Sequence, residues 1–284
     1  MGPDILLTND DGIDAPGLAG LRTELTAFGD VTVVAPDGDR SGVGRTRNHT
    51  TVIREHPWGY ALTGTPADCV AYGLRGLDPD FDVVVSGVNN GPNAGNYVVG
   101  RSGTVGAGIE AAFLGTPALA ISAYHSTDFF LSPPEEYDFA RPARIARRLV
   151  ERALEAGVYE DVDLLNVNAP VDASSPPVIL TEPHHDYEQD IEQIDPGNDE
   201  HGDFADWDLG PDERLVRLHD ETWPGVVGWE NPFPPTEEHR RRYPVGSDRR
   251  ALVDAAVSVS PLSVKHASPD SAALADVVET IDVE

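Results

Sequence analysis

Short, continuous apolar runs alternate with helical patterns through the first 170 residues. The runs are Ile5-Leu6-Leu7-Thr8, Val31-Thr32-Val33-Val34-Ala35, Asp82-Val83-Val84-Val85-Ser86, Ala118-Leu119-Ala120-Ile121-Ser122 and Leu164-Leu165-Asn166-Val167. Each is too short for a helix, and the run through Val83, Val84 and Val85 is continuous and β-branched, as a strand buried on both faces should be. Between them, the spacing predicts helices over residues 15–28, 66–74, 103–114 and 137–156. Pro16 sits in the first turn of one, and Gly115 with Pro117 closes another. Residues 51–54 and 60–63 flank Pro57-Trp58-Gly59 and predict a β-hairpin. The alternation predicts an α/β fold: a three-layer, doubly wound, Rossmann-like and mostly parallel sheet.

The pattern changes near residue 171. Residues 181–240 hold 18 acidic residues and 3 arginines among many Pro and Gly. They read as an acidic excursion rather than another layer of the sheet. Apolar character returns at residues 251–259, followed by Ser260-Pro261-Leu262, and residues 271–281 predict a terminal helix. The expected organisation is an α/β core over residues 1–170 and a separate C-terminal region over residues 171–284.

Charge changes the picture next. The chain has 49 acidic residues against 20 basic ones, a formal net charge of −29, and Lys265 is its only lysine. At about 1 M salt the screening length falls to roughly 3 Å, which damps such self-repulsion. The composition predicts an extremely halophilic source. It argues against nucleic acid polymers, which need a basic surface. Arg240-Arg241-Arg242, beside Glu237 and Glu238, reads as a solvated face or a subunit contact. Cys69, the single cysteine, excludes a disulfide framework and reads as a small core residue. No apolar run reaches the roughly 20 residues of a membrane span. The first strand starts at Ile5 without a signal-like stretch before it, so the expected compartment is the cytoplasm.

The candidate chemistry sits where strands end. Strand one delivers Asn9-Asp10-Asp11-Gly12. Adjacent buried carboxylates repel and favour protonation unless a cation compensates them. A hard divalent metal with oxygen ligands fits; an Asx turn with Gly12 at positive φ is the bland reading. Asp39-Arg40-Ser41-Gly42 follows strand two, and Ser86-Gly87-Val88-Asn89-Asn90-Gly91-Pro92-Asn93 follows the third apolar run. Ser102-Gly103-Thr104 opens a helix and offers hydroxyls and free N–H groups, a phosphate seat or a simple N-cap. A metal beside a phosphate seat suggests metal-assisted phosphoester hydrolysis.

Together these segments resemble the SurE (survival protein E) family of nucleotidases. The resemblance rests on residues 5–12 with Ala15-Pro16-Gly17, Val34-Ala35-Pro36-Asp37 with Arg40-Ser41-Gly42, and Gly64-Thr65-Pro66-Ala67-Asp68-Cys69-Val70. It continues through Val84-Val85-Ser86-Gly87-Val88-Asn89 with Gly91-Pro92-Asn93, Ser102-Gly103-Thr104-Val105, Gly115-Thr116-Pro117-Ala118 and Asn166-Val167-Asn168. A looser match returns at Ser258-Val259-Ser260-Pro261-Leu262. The resemblance implies one divalent metal per subunit, Mg²⁺ or Mn²⁺ with Ca²⁺ also accommodated, held by Asp10, Asp11, Ser41 and Asn89. It implies phosphate contacts from Asn93, Ser102, Gly103 and Thr104. The implied substrates are nucleoside 5′- and 3′-monophosphates and short polyphosphate. The implied assembly is a homodimer or homotetramer with exchanged C-terminal segments. Gly44, standing where a small hydroxyl residue is common, and the long acidic region depart from the family pattern.

The implied reaction is in-line attack of water on phosphorus, with Asp10 and Asp11 as catalytic residues and Asp10 taking the proton. The first turn of the helix at Ser102 would stabilise equatorial charge. Phospho-aspartyl phosphatases need a strand-end Asp-x-Asp and a lysine near the phosphoaspartate; here the pair Asp10-Asp11 is adjacent, and Lys265 is the only candidate lysine. A P-loop is absent, and Gly103-x-x-Gly106-x-Gly108 is misplaced for a dinucleotide fingerprint. A non-catalytic nucleotide- or metal-binding regulatory protein on the same scaffold is the rival from another class. His184 and His185 read as surface residues rather than a second metal site.

Overall fold

A computed structural model describes residues 2–48, 50–78, 80–127, 137–185, 189–195, 209–220, 236–265 and 271–280. The apolar runs form strands β1 (Asp4–Thr8), β2 (Asp30–Pro36), β5 (Val83–Asn90), β6 (Ala118–Tyr124) and β7 (Leu164–Pro170). The expected hairpin is β3 (Ile53–His56) and β4 (Gly59–Leu62), paired antiparallel. Helices α1 (Pro16–Leu25), α2 (Pro66–Gly76), α4 (Gly103–Phe113) and α5 (Ala140–Glu155) lie where the periodicity predicts them. A single-turn helix, α3 (Asn96–Val99), has no counterpart in the sequence reading.

Among the described residues, the main sheet runs β3-β4-β2-β1-β5-β6-β7-β11-β8, with β8 at Val178–Leu180 and β11 at Val257–Leu262. From β4 through β2, β1, β5 and β6 to β7 every pairing is parallel. From β1 the chain first builds β2 on one side, then crosses to place β5 on the other. That reversal is a topological switch point, where α/β sheets open a crevice.

Strand pleating sorts the core into two layers. Ile5 and Leu7 face one side with Leu18, Leu21 and Leu25 of α1 and Ala143, Ala146 and Val150 of α5. Leu6 faces the other with Cys69 and Val70 of α2 and Val105, Ala107 and Ala111 of α4. The doubly wound, three-layer expectation is therefore met. Cys69 is a buried core residue, its thiol pushed far above its usual range mainly by burial.

The sheet does not stop at residue 170. After α7 (Asp248–Val253), β11 inserts antiparallel against β7 and parallel to β8, so residues 257–262 extend the core itself. Within the acidic region, β9 (Gln189–Ile194) and β10 (Leu215–Asp220) form a separate antiparallel pair. Residues 196–208 and 221–235 of that region lie outside the described residues. Arg240-Arg241-Arg242 falls in α6 (Glu237–Arg242), where Arg240 pairs with Glu237 and Asp254. The terminal helix is α8 (Ala272–Thr280). Among the described residues no helix is long and apolar enough to cross a membrane.

Candidate active site

The switch point puts Asp10 and Asp11 at the mouth of the crevice, directly after β1. Asn9 shapes the turn: its Oδ1 accepts from Gly12 N–H at 3.3 Å and its Nδ2 donates to the Gly12 carbonyl at 2.8 Å. The Asx turn of the bland reading is thus present, and it presents the two acids rather than replacing their role.

The N-terminus of α4 meets Asp10 head-on. The Thr104 hydroxyl donates to Asp10 Oδ1, and Thr104 N–H also reaches this carboxylate. Gly103 lets the helix come this close, since a Cβ there would lie 2.7 Å from Asp10 Oδ2 and 2.8 Å from its Cβ. Asp10 is 3% exposed. Burial is the largest influence on its carboxyl and raises its pKa; the Thr104 bonds oppose this, and the charge of Asp39 adds to the rise. Asp11, less enclosed, is pushed from 3.8 to about 7, first by burial and then by the Asp10 charge, against a bond from Asn90 N–H. Both acids therefore sit where a negative charge lacks compensation.

The second loop closes over the same point. Arg40 N–H donates to the Asp10 carbonyl at 2.7 Å, tying residues 37–48 to the end of β1. Ser41 donates its hydroxyl to Asp39 Oδ1 at 2.6 Å, so Ser41 and Asp39 share one bend of that loop. Sequence reasoning named Asp39 in its cluster but gave it no role; its charge reaches both Asp10 and Asp11. The Gly64-Thr65-Pro66-Ala67-Asp68 segment anchors the loop from below. Thr65 and Asp68 make a capping box on α2, and Asp68 also accepts Asn48 N–H and pairs with Arg47. Gly44, the departure from the family pattern, adopts φ +57 and donates its N–H to the Arg101 carbonyl at 2.9 Å. A hydroxyl residue here would be strained in that conformation.

Strand β5 supplies the third segment. Its pairing with β6 shifts register between Ser86 and Asn89, an irregularity at the end of the strand that carries Asn89 and Asn90. Asn89 donates its Nδ2 to the Gly91 carbonyl at 2.6 Å, which orients its amide oxygen. Next to it, Asn90 bonds Asp11 through its N–H while its own Oδ1 is buried with no hydrogen-bond partner.

The fourth segment differs from the simple phosphate seat. Ser102 is the N-cap of α4, its oxygen accepting from Val105 N–H at 3.1 Å. Thr104 is engaged by Asp10 as described. Asn93 is buried and fixed on several sides: Nδ2 donates to Ser122 Oγ at 2.8 Å, its N–H to Asn168 Oδ1 at 2.7 Å, and its carbonyl accepts from Asn166 at 2.8 Å. Sequence reasoning missed this network, although asparagines inside the otherwise apolar β7 run were its signal, since buried amides need partners.

The C-terminal region holds the same loop from the far side. Asp248, fully buried, accepts from Gly95 N–H at 2.7 Å and from His184 N–H at 2.9 Å. Arg249, also fully buried, donates to the Ala94 carbonyl at 3.4 Å. His184 is buried edge-on against Tyr243, contrary to the surface placement expected from sequence; that expectation read only the acidic neighbourhood and not the non-local contact. His185 is exposed, as expected. Among the described residues no group of three His, Cys, Asp or Glu side chains is arranged to hold a metal.

Comparison with known proteins agrees with the fold. The family described as Survival protein SurE matches residues 5–189. Relatives named 5′-nucleotidase SurE occur in the halophilic archaea Natronomonas pharaonis (43% identical, covering 97% of this chain and 98% of the relative) and Haloarcula marismortui (40%, covering 99% and 96%). The crystal structure of SurE protein from Aquifex aeolicus superimposes with a TM-score of 0.70 at 29% identity, covering 98% of both chains. By family match, by full-length relatives and by fold, the chain belongs to the SurE survival protein family.

Proposed function

We propose that the protein is a divalent-cation-dependent nucleotidase that hydrolyses nucleoside 5′-monophosphates to nucleoside and phosphate. Nucleoside 3′-monophosphates and short polyphosphate are its further substrates. The name 5′-nucleotidase carried by its relatives supports the reaction class. The observation that carries the reading is the pair Asp10 and Asp11, buried at the switch point with both carboxyls driven toward protonation.

The donor chemistry fits a hard cation. Two adjacent, largely buried carboxylates, both raised further by the charge of Asp39, favour a hard cation as their compensating partner. Asp10, Asp11, Ser41 and Asn89 would hold one Mg²⁺ or Mn²⁺, with Ca²⁺ an alternative occupant. When bound, such an ion polarises a phosphoryl oxygen and acidifies water.

The chain's own residues divide the remaining work. Thr104 fixes the rotamer of Asp10. Asp11 is less buried and is not bonded to Thr104, so its carboxylate is the better acceptor for the proton of attacking water, a role expected of Asp10 from sequence. The N–H groups at Gly103, the Ser102 hydroxyl and the loop carrying Asn93 line the phosphate side.

Self-assembly is part of the proposal. Residues 171–284 would mediate a homodimer or homotetramer by exchanging C-terminal segments. Supporting this, α8 exposes Leu274, Val277 and Val278 at helical spacing on one face.

Phosphate release from AMP in molar KCl, with Mn²⁺ or Mg²⁺ and with or without chelator, tests the reading. Cation-dependent turnover is expected. AMP binding without any phosphate release would favour the regulatory alternative, and the absence of both binding and release would overturn the two readings together.

A further inference from the structure

The short helix α3 joins two of the site's segments: Asn93 lies just before it and Ser102 just after it. Tyr97 on α3 and Arg101 just beyond it face each other. The Arg101 guanidinium lies 5.0 Å from the centre of the Tyr97 ring and donates through its NH1 to the Tyr97 hydroxyl. Ring contact and hydroxyl tether together fix the plane of the guanidinium. The Arg101 carbonyl is bound by Gly44 of the Ser41 loop, so this pair sits where three site segments meet.

Other arginines on these segments have their charge matched. Arg40 pairs with Asp37 at 3.0 Å, Arg45 with Glu110 at 2.9 Å, and Arg47 with Glu110 at 3.2 Å. Arg101 is exposed, and among the described residues it makes no ion pair with a carboxylate. Its partner is a neutral phenol ring, which leaves the guanidinium available to a ligand.

We propose that Arg101, braced on Tyr97, is the surface on which the nucleobase of the substrate stacks. This rests on the nucleotidase reading and assigns its specificity for nucleotides over other phosphate esters. Guanidinium groups are planar and weakly hydrated, and they stack on aromatic rings and on bases. Arg101 directly precedes Ser102 and is exposed where Ser102 is buried, so a planar cation stands beside the proposed phosphate side, within reach of the rest of a nucleotide. Molar salt weakens contacts that depend on charge alone, since the screening length is roughly 3 Å at 1 M. A stacking contact survives there.

The test compares kcat/KM for AMP with kcat/KM for ribose 5-phosphate, which has no base, in molar KCl with Mn²⁺. Wild type, Arg101→Ala, Arg101→Lys and Tyr97→Leu are measured side by side. In Arg101→Ala the AMP to ribose 5-phosphate ratio is expected to fall about tenfold, through KM, as for loss of one base-stacking contact. Arg101→Lys keeps the charge and loses the plane, so its ratio should fall as well. Tyr97→Leu removes the brace and should give a smaller fall. A ratio within about twofold of wild type in Arg101→Ala overturns the proposal, as does full retention in Arg101→Lys. If wild type turns over AMP and the ratio does not move, stacking alone is refuted. If wild type turns over neither ester, the nucleotidase reading falls with it.

Discussion

The Thr104 hydroxyl donates to the carboxylate of Asp10 across 94 residues of sequence, joining the first turn of α4 to the end of β1. The helix N-terminus on the proposed phosphate side thus also holds one of the two acids of the site. Thr104→Val removes that bond but keeps the shape. A hydrogen bond to a charged group contributes about 1.5–3 kcal/mol, so Asp10 should be harder to ionise and Mn²⁺ affinity should fall. Thr104→Ser should restore it. Titration of the protein with Mn²⁺ by calorimetry gives the comparison; equal affinity in Thr104→Val and wild type refutes the link.

Asp10→Asn and Asp11→Asn each remove one carboxylate from the pair. Loss of turnover on AMP by roughly 10²–10⁴-fold is expected for a residue that binds the cation or moves the proton. Phosphate release measured at saturating Mn²⁺ decides this, and hydrolysis at the wild-type rate in either variant rules the assignment out.

In chelated protein, the raised Asp11 carboxyl has a defined effect on stability. The folded state holds its proton up to about 7, whereas an ordinary aspartate releases it near 3.8. The folded state thus binds more protons across that window, and stability is lost as pH rises through it. Wild type should melt lower at pH 8 than at pH 5 by more than Asp11→Asn does. Added Mn²⁺ should shrink that difference. Thermal melts in molar KCl with chelator supply the measurement, and identical pH slopes for the two proteins would be inconsistent with the buried charge.

Gly103→Ala tests the close approach of α4. The added methyl would meet Asp10 at under 3 Å, so either the helix or the carboxylate must move. Activity should drop by about tenfold or more, with a modest change in melting temperature. A variant as active as wild type would mean that the contact is not needed.

Asp248→Ala removes the acceptor for the Gly95, His184 and Arg249 N–H groups, three buried donors. A cost of about 2–4 kcal/mol is expected, with faster amide exchange at residues 93–96. Hydrogen exchange read by mass spectrometry would show it, and unchanged protection there would contradict the clamp.

Much of this was legible in the sequence for a physical reason. Strands β1, β2, β5, β6 and β7 are largely buried on both faces, so their runs are mostly apolar, and α1 and α5 carry one-sided patterns. Asp10 and Asp11 stood out because carboxylates after such a run are costly. What was hidden depends on contacts between distant residues. Val257 to Leu262 reads as apolar, but nothing local says that it pairs antiparallel with β7. Asn96–Val99 is too short to show a period. His184 lies in an acidic neighbourhood, and only its packing on Tyr243 buries it. Thr104 reads as part of a phosphate seat, and only the approach of β1 turns its hydroxyl toward Asp10.

The place of β11 between β7 and β8 bears on how the chain matures on the ribosome. Strand β7 is complete once Pro170 has emerged, yet its neighbour arrives only with Val257. Throughout that interval the nascent polypeptide presents an open edge of backbone donors and acceptors from Leu164 to Asn168. Premature termination anywhere in the acidic region would leave that edge permanently uncovered, and such fragments should clump or be degraded rather than persist as trimmed enzymes.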